Sequence, residues 1–259
     1  MKRKFLVLFL VSVLTISSCS SVKLTAREIE IQERNVVETL NTDPRGNASA
    51  YVDMNNIEAM TEVCTQIVLC KVEKCNNIEF TEFGSFYFTY DMKIEKIYMD
   101  TEDKFNSGDI IPVGSNKGII RGDEFIKLSS KSAQAQKYGY DKREYTSDDY
   151  IIKTNFGAIP IEVGKSYIVY LTNIYLENQG IYAEFGRMFA YEYTDGMLYK
   201  DMDYKRMDMT LAQLKAQIKA DIDKRTGRAD EIGIDAYLDE LGERQRKEYL
   251  ENLENNNAG

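Results

Sequence analysis

The side chains able to do chemistry in this 259-residue chain are four cysteines, 42 acids and 18 tyrosines, with no histidine and no tryptophan. Without histidine the chain lacks the commonest general base at neutral pH, the Ser-His and Cys-His nucleophile pairs, and the usual catalytic zinc ligands. Cys64, Cys70 and Cys75 follow a C-x5-C-x4-C spacing, which fits no common zinc pattern and lacks a fourth ligand. An extended run places Cys64 and Cys70 about 20 Å apart, beyond the roughly 7 Å reach of a disulfide. They read as small apolar side chains of a core strand, the alternative being that Cys75 folds back to a partner. Asp201, Asp203 and Asp208, like Asp221 and Asp223, miss the offsets of a calcium loop and read as surface acids at helix ends. Arg121-Gly122-Asp123 reads as a bend. There is no Gly-rich phosphate loop, and no metal or cofactor is implied. Two acids at a set separation suffice for glycoside hydrolysis, so a hydrolase using paired carboxylates stands as the alternative function. The net charge of −9 and pI near 4.9 argue against nucleic acid as a partner.

Residues 129–150, SSKSAQAQKYGYDKREYTSDDY, hold almost no aliphatic side chain but carry Tyr138, Tyr140, Tyr145 and Tyr150. Connections this long inside a compact domain are functional or disordered. Tyrosine offers a large contact area at low entropic cost and stacks on sugar rings or peptide side chains. These four tyrosines are the candidate partner-binding residues; a mobile insertion or local hairpin is the alternative.

The elements that must position them are mainly strands. Residues 63–72 are aliphatic and β-branched. In residues 86–98, Phe86, Phe88, Tyr90, Met92 and Ile94 fall on one face, and this period-2 alternation is the strongest β signal in the chain. Short strands are expected at 109–113, within 118–128, at 149–154, at 165–175 and within 181–193. Asp195-Gly196 is a two-residue hairpin turn joining 191–193 to 197–199. Many short strands without intervening helices indicate an antiparallel barrel or sandwich. A short helix is expected over 54–61, capped by Asp53. A longer one begins after Thr210 with Leu211, Leu214, Ile218 and Ile222 inward, and a break at Thr226-Gly227 precedes a second amphipathic run through Leu241. These helices pack against a barrel, or the second docks on a partner as in an assembly factor. Residues 20–50 are polar: 27–33 suit a short edge strand, and Val36, Val37 and Leu40 fit a helical face equally well.

The first 21 residues, MKRKFLVLFLVSVLTISSCSS, have a basic start, an apolar run over 5–14 too short to span a bilayer permanently, and small residues up to Cys19. Ile16-Ser17-Ser18-Cys19 resembles the bacterial lipobox. That resemblance implies cleavage before Cys19, a thioether-linked diacylglyceryl group on it and acylation of the new amino terminus, with an ordinary cleaved signal peptide as the alternative. Two or three acyl chains hold a protein on a membrane where one does so only marginally. Losing residues 1–18 removes Lys2, Arg3 and Lys4 and no acid, so the mature charge falls from −9 to −12. The acyl chains, and not charge, must therefore attach the body to an anionic lipid surface.

Three stretches together resemble a known layout: 62–72 (EVCTQIVLCKV), 90–98 ending Ile94-Glu95-Lys96-Ile97-Tyr98 ahead of Gly108-Asp109, and 162–171 (EVGKSYIVYL). The order is similar to that of uncharacterised secreted bacterial proteins and of netrin-like and tissue-inhibitor-of-metalloproteinase-like domains. It implies a mainly β fold, an antiparallel OB-like barrel of five or more strands flanked by helices, and no catalytic residue. The inhibitors' zinc-binding N-terminal Cys amine has no counterpart here, since Cys19 would be acylated and distant from the barrel. The expected organisation is a signal peptide (1–18), a lipidated tether (19–52), an OB-like barrel (53–200) and C-terminal helices with an acidic tail (201–259). The expected function is display, at the cell membrane or outer membrane on its extracytoplasmic side, of a module that binds a protein or glycan.

Overall fold

The computed structural model describes residues 24–41, 57–82, 85–154, 158–172, 182–184, 190–200 and 203–233, with positions 236, 240, 243, 244, 247 and 251. The fold is mainly β with a C-terminal helix. Two long strands, β2 (Gln66–Phe80) and β3 (Phe86–Asp100), pair antiparallel along their length and form the backbone of the larger sheet. Phe86, Phe88, Tyr90, Met92 and Ile94 of β3 are all buried, as their alternation dictates. Each such side chain contributes about 1.5–3 kcal/mol relative to exposure.

Beside β3 runs β4 (Ile110–Ser115), antiparallel. On the other side of β2 lies β7 (Ser166–Thr172), also antiparallel. The short strand β8 (Tyr182–Glu184) pairs parallel with β4 and antiparallel with β7. Beyond β7 the sheet continues through β9 (Ala190–Thr194), β10 (Met197–Lys200) and β11 (Lys205–Arg206). Asp195 and Gly196 both have positive φ (53° and 79°), the conformation a two-residue turn between β9 and β10 needs. Gly164, at φ 87°, makes the turn that leads into β7.

Both faces of β2 and β7 are covered. Val68, Cys70, Val72, Tyr167, Val169 and Leu171 point into one hydrophobic cluster, while Ile67, Leu69, Ile168 and Tyr170 point into a second. The second cluster is closed by Met60 of α2 (Ile57–Val63) and by Leu214 and Ile218 of α5 (Leu211–Ile232). Arg225 of α5 donates to the carbonyls of Thr61 and Cys64, 3.2 Å each, locking α5 to the end of α2. Cys64, Cys70 and Cys75 are free and buried in these cores, and burial pushes the Cys75 thiol up to about 12.

A second sheet of three strands has the order β1 (Asn35–Asn41), β6 (Asp149–Thr154), β5 (Gly118–Arg121). Here β1 is parallel to β6, and β5 antiparallel to it.

Several expectations change. Residues 27–32 belong to a helix, α1 (Ala26–Gln32), with Glu33 its C-cap, and Val36, Val37 and Leu40 belong to a strand. Tertiary pairing with β6 decides β1, and a capping box decides α1: Thr25 accepts from the Glu28 amide while the Glu28 carboxylate accepts from the Thr25 amide. The tether expected over 19–52 is therefore folded onto the body throughout Ala26–Asn41. Arg121-Gly122-Asp123 is a strand-to-helix junction, not a bend, since α3 (Gly122–Ser129) starts there. A Cβ at Gly122 would come within 2.4 Å of the Tyr145 Cβ and 2.7 Å of the Thr146 carbonyl oxygen, so this junction is packed. The expected break at Thr226-Gly227 is continuous helix; α5 ends at Ile232, ahead of Gly233 at φ 86°. Asp53–Asn56 and most of the residues expected to form a second C-terminal helix lie outside the described residues.

Candidate functional site

The feature most unlike an ordinary core is a buried charge cluster where α1 meets the large sheet. Arg27 is 1% exposed and Glu192 of β9 is fully buried. The Arg27 guanidinium donates from Nε to Glu192 Oε1 (2.6 Å) and from Nη2 to Glu192 Oε2 (2.7 Å), a bidentate pair, and Nη2 also reaches Glu162 Oε2 at 2.6 Å. Arg34 Nη2 donates to the other Glu162 oxygen at 2.6 Å. Tyr167 and Thr194 hydroxyls donate to Glu192 at 3.2 and 3.0 Å, so its lone pairs are well satisfied. The Arg27 guanidinium also faces the Tyr204 ring, 5.1 Å from its centroid. Burial alone would lower the Arg27 value, but Glu192 and Glu162 outweigh it and hold the guanidinium above the ordinary arginine range.

Around this cluster α1 is tied down on several sides. The Thr25 and Tyr199 hydroxyls are 2.9 Å apart, Glu28 lies 3.7 Å from Arg206, and Lys165 donates to Glu30 at 3.0 Å. Desolvation opposes ionisation of Glu30, yet Lys165 and Arg27 together lower it to about 2.

Next to the cluster opens a polar cleft of about 430 Å³. It is lined by Glu30, Glu33, Arg34 and Asn35 from the N-terminal segment, Arg121 from the end of β5, and Ser147, Asp148 and Tyr150 at the start of β6. The Arg34 guanidinium lies 5.1 Å from the Tyr150 ring centroid. Asn35 Nδ2 donates to Asp149 Oδ1 at 2.8 Å, pinning the edge of the cleft. The lining offers cationic donors, carboxylate and hydroxyl acceptors, and one aromatic ring.

Of the four tyrosines singled out from sequence, Tyr150 alone lines this cleft. The segment that carries the other three is folded, with a short helix α4 (Ala133–Lys137) capped by Ser132 and a 3-10 turn over Tyr140–Lys142. Tyr140 packs 5.1 Å from Phe80, 5.9 Å from Phe86 and 6.0 Å from Phe125 between centroids, and Tyr145 lies 6.1 Å from Phe125. The Tyr145 hydroxyl and Arg143 both bond the Glu38 carboxylate. Tyr140 and Tyr145 are thus half-buried, with one side of each ring packed on the core. Tyr138 is 40% exposed, with its hydroxyl donating to the Glu82 carbonyl at 2.5 Å. Cys19 lies outside the described residues. Among the described residues, no group of three or more Cys, Asp or Glu side chains is placed to hold a metal ion.

Sequence reasoning missed Arg27, Arg34, Glu162 and Glu192, since charged residues are expected at the surface. One signal was present: Thr25-Ala26-Arg27-Glu28 is a capping-box pattern, and it puts Arg27 and Glu30 on one helical face.

A second buried cation, Lys153, was also missed. It is 2% exposed in the central strand β6, donates to the Phe86 carbonyl, and sits 4.9 Å from the Phe86 ring centroid. Desolvation lowers it from 10.5 to about 8. Between pH 8 and 10.5 the unfolded chain therefore holds this proton while the folded chain has released it, and stability from this group rises with pH. The three buried thiols act oppositely, because they stay protonated in the fold where the unfolded chain ionises. Lys153→Met isolates the lysine. Its stability advantage over the parent, measured from urea midpoints in reducing buffer, should be largest at pH 7 and shrink steadily up to pH 10.5. A difference independent of pH refutes the assignment.

No protein-family model matches the chain, and no curated protein is significantly similar to it. Nothing in these comparisons indicates an enzyme. No helix among the described residues is long and apolar enough to cross a membrane.

Proposed function

We propose that this chain is a lipid-anchored binding module on the extracytoplasmic side of a cell membrane or outer membrane, with Cys19 acylated and an OB-like barrel carrying a cleft for a protein or glycan. The anchor is supported by the leader, in which basic start, short apolar run and Ile16-Ser17-Ser18-Cys19 agree. The barrel is supported by the strand pairings, which run β2, β3, β4, β8, β7 and return to β2, with the β4–β8 pair parallel and the other four antiparallel. α1 and β1 belong to this module, because Arg27 and the β1–β6 pairing fasten them to it.

The observation that carries the binding role is the cleft of Arg34, Arg121, Tyr150 and the neighbouring acids. An open surface with donors and acceptors fixed around a ring suits a polar partner such as a sugar or a peptide segment. Glu162 and Glu192, the two carboxylates that share Arg27, have their oxygens occupied by guanidinium donors, which favours binding over the paired-carboxylate hydrolase reading. The test immobilises residues 19–259 and measures capture of detergent-solubilised envelope proteins and of soluble cell-wall glycan fragments. Tyr150→Ala combined with Arg121→Glu is expected to reduce capture at least fivefold, with an unchanged unfolding curve. Equal capture by parent and variant overturns the role assigned to the cleft.

A further inference from the structure

The lining of the cleft narrows what it can hold. None of the eight residues around it is aliphatic: seven end in a carboxylate, guanidinium, amide or hydroxyl, and the eighth, Tyr150, adds a ring to its hydroxyl. Arg121 also lines a second hollow of about 280 Å³, which carries the surface on over Asp123, Glu124 and Lys127 of α3, again without an aliphatic side chain. A bound peptide draws most of its affinity from apolar anchors seated in apolar pockets. This groove offers none. The hollow between β3 and α5 is the contrast, since Tyr98, Met99 and Ile222 give it an apolar wall.

A hydroxyl both donates and accepts, so a string of hydroxyls meets carboxylates and guanidiniums side by side and leaves neither unpaired. The exposed groups here are of both kinds: Glu33, Asp123 and Asp148 accept, and Arg121 and Lys127 donate. Acids outnumber bases by five to three along the two hollows, which repels a polyanion. The frame is also set in advance. Arg34 Nη2 is bonded to Glu30 at 2.9 Å and Glu162 at 2.6 Å. The turn carrying Ser147 and Asp148 is closed by Asp149, whose Oδ2 accepts from the Thr146 amide at 2.6 Å and from its hydroxyl at 2.9 Å. Groups already in place cost a ligand little ordering on binding.

We infer that the ligand of this cleft is an uncharged saccharide chain, with one sugar ring stacked on Tyr150 and the chain running past Arg121 into the second hollow. This rests on the binding role proposed above and selects glycan over protein as the partner. The single aromatic ring takes the C–H face of a sugar, and the polar side chains around it take the hydroxyls.

The experiment titrates the full chain, in a detergent without a sugar headgroup, with chitotetraose, cellotetraose, maltotetraose, mannotetraose and the acidic tetragalacturonate, followed by ligand-observed NMR. The tightest neutral tetramer should bind at least tenfold more tightly than tetragalacturonate, and at least threefold more tightly than its own disaccharide, which fills one hollow only. Tyr150→Ala should weaken it at least tenfold, and Tyr150→Phe should restore most of that loss. Arg121→Glu, at a side chain 51% exposed, should erase the advantage of tetramer over disaccharide. Equal losses for Tyr150→Ala and Tyr150→Phe overturn the stacking. No binding of any neutral tetramer, or a preference for the uronate, overturns the saccharide. If envelope proteins are then still captured by the parent and lost in the Tyr150→Ala, Arg121→Glu variant, the binding role stands and its partner is a protein. If neither sugar nor protein is held through the cleft, the binding role falls as well.

Discussion

Arg27→Ala is expected to lower the unfolding free energy by about 3–5 kcal/mol, the range found when one partner of a buried ion pair is removed. The reason is the carboxylate left behind. Glu192 is fully buried on β9 and receives both of its strongest hydrogen bonds from this guanidinium; Tyr167 and Thr194 alone cannot offset its charge. Glu162 keeps Arg34 and suffers less. Urea denaturation followed by circular dichroism measures the loss. A double substitution, Arg27→Met with Glu192→Leu, should recover most of it, since apolar residues of similar volume replace buried ion pairs at little cost. The single variant should also free α1, with amide exchange in Ala26–Gln32 accelerating more than in β2 or β3. A loss below about 1 kcal/mol would show that water reaches Glu192 and that the cluster does not fasten α1 to the large sheet.

Phe125→Ala should be comparably severe, about 3–5 kcal/mol. Phe125 is fully buried on α3 and meets four rings, with centroids at 5.7 Å for Phe86, 6.0 Å for Tyr140, 6.1 Å for Tyr145 and 6.5 Å for Phe80. Its removal leaves a cavity that rigid rings cannot close, and it takes away the support of the tyrosine-rich segment. Limited proteolysis should then cut within residues 131–147 at Lys137, Lys142 or Arg143 well before the rest of the chain, whereas the parent resists. If those sites are cut equally fast in the parent, the packing of Tyr140 and Tyr145 against this core is refuted.

The tyrosine-rich segment also marks where reading from sequence reaches its limit. Its low aliphatic content looked like a loop because a hydrophobic pattern counts side chains along one element. Tyr140 instead packs its ring against Phe80, Phe86 and Phe125, and Tyr145 against Phe125, with Phe80 and Phe86 more than 50 residues away. Lys153 and Glu192 show the same limit from the other side. Each occupies a strand covered on both faces, and coverage depends on which strands become neighbours.

Local periodicity and turn chemistry by themselves determined the long β3 strand and its buried face, the shared face of Tyr167, Val169 and Leu171, the Asp195-Gly196 hairpin, the turn at Gly164 and the amphipathic start of α5. These rest on interactions within a few residues, so any window of sequence contains their cause. Only the tertiary structure decided that residues 26–41 form a helix and a strand packed on the body, that β1 runs parallel to β6, that Arg27 meets Glu192, and that Tyr150 joins Arg34 and Arg121 at one cleft. Those partners are separated by 29 to 165 positions, and their energies depend on distance and desolvation in space, which no local pattern carries.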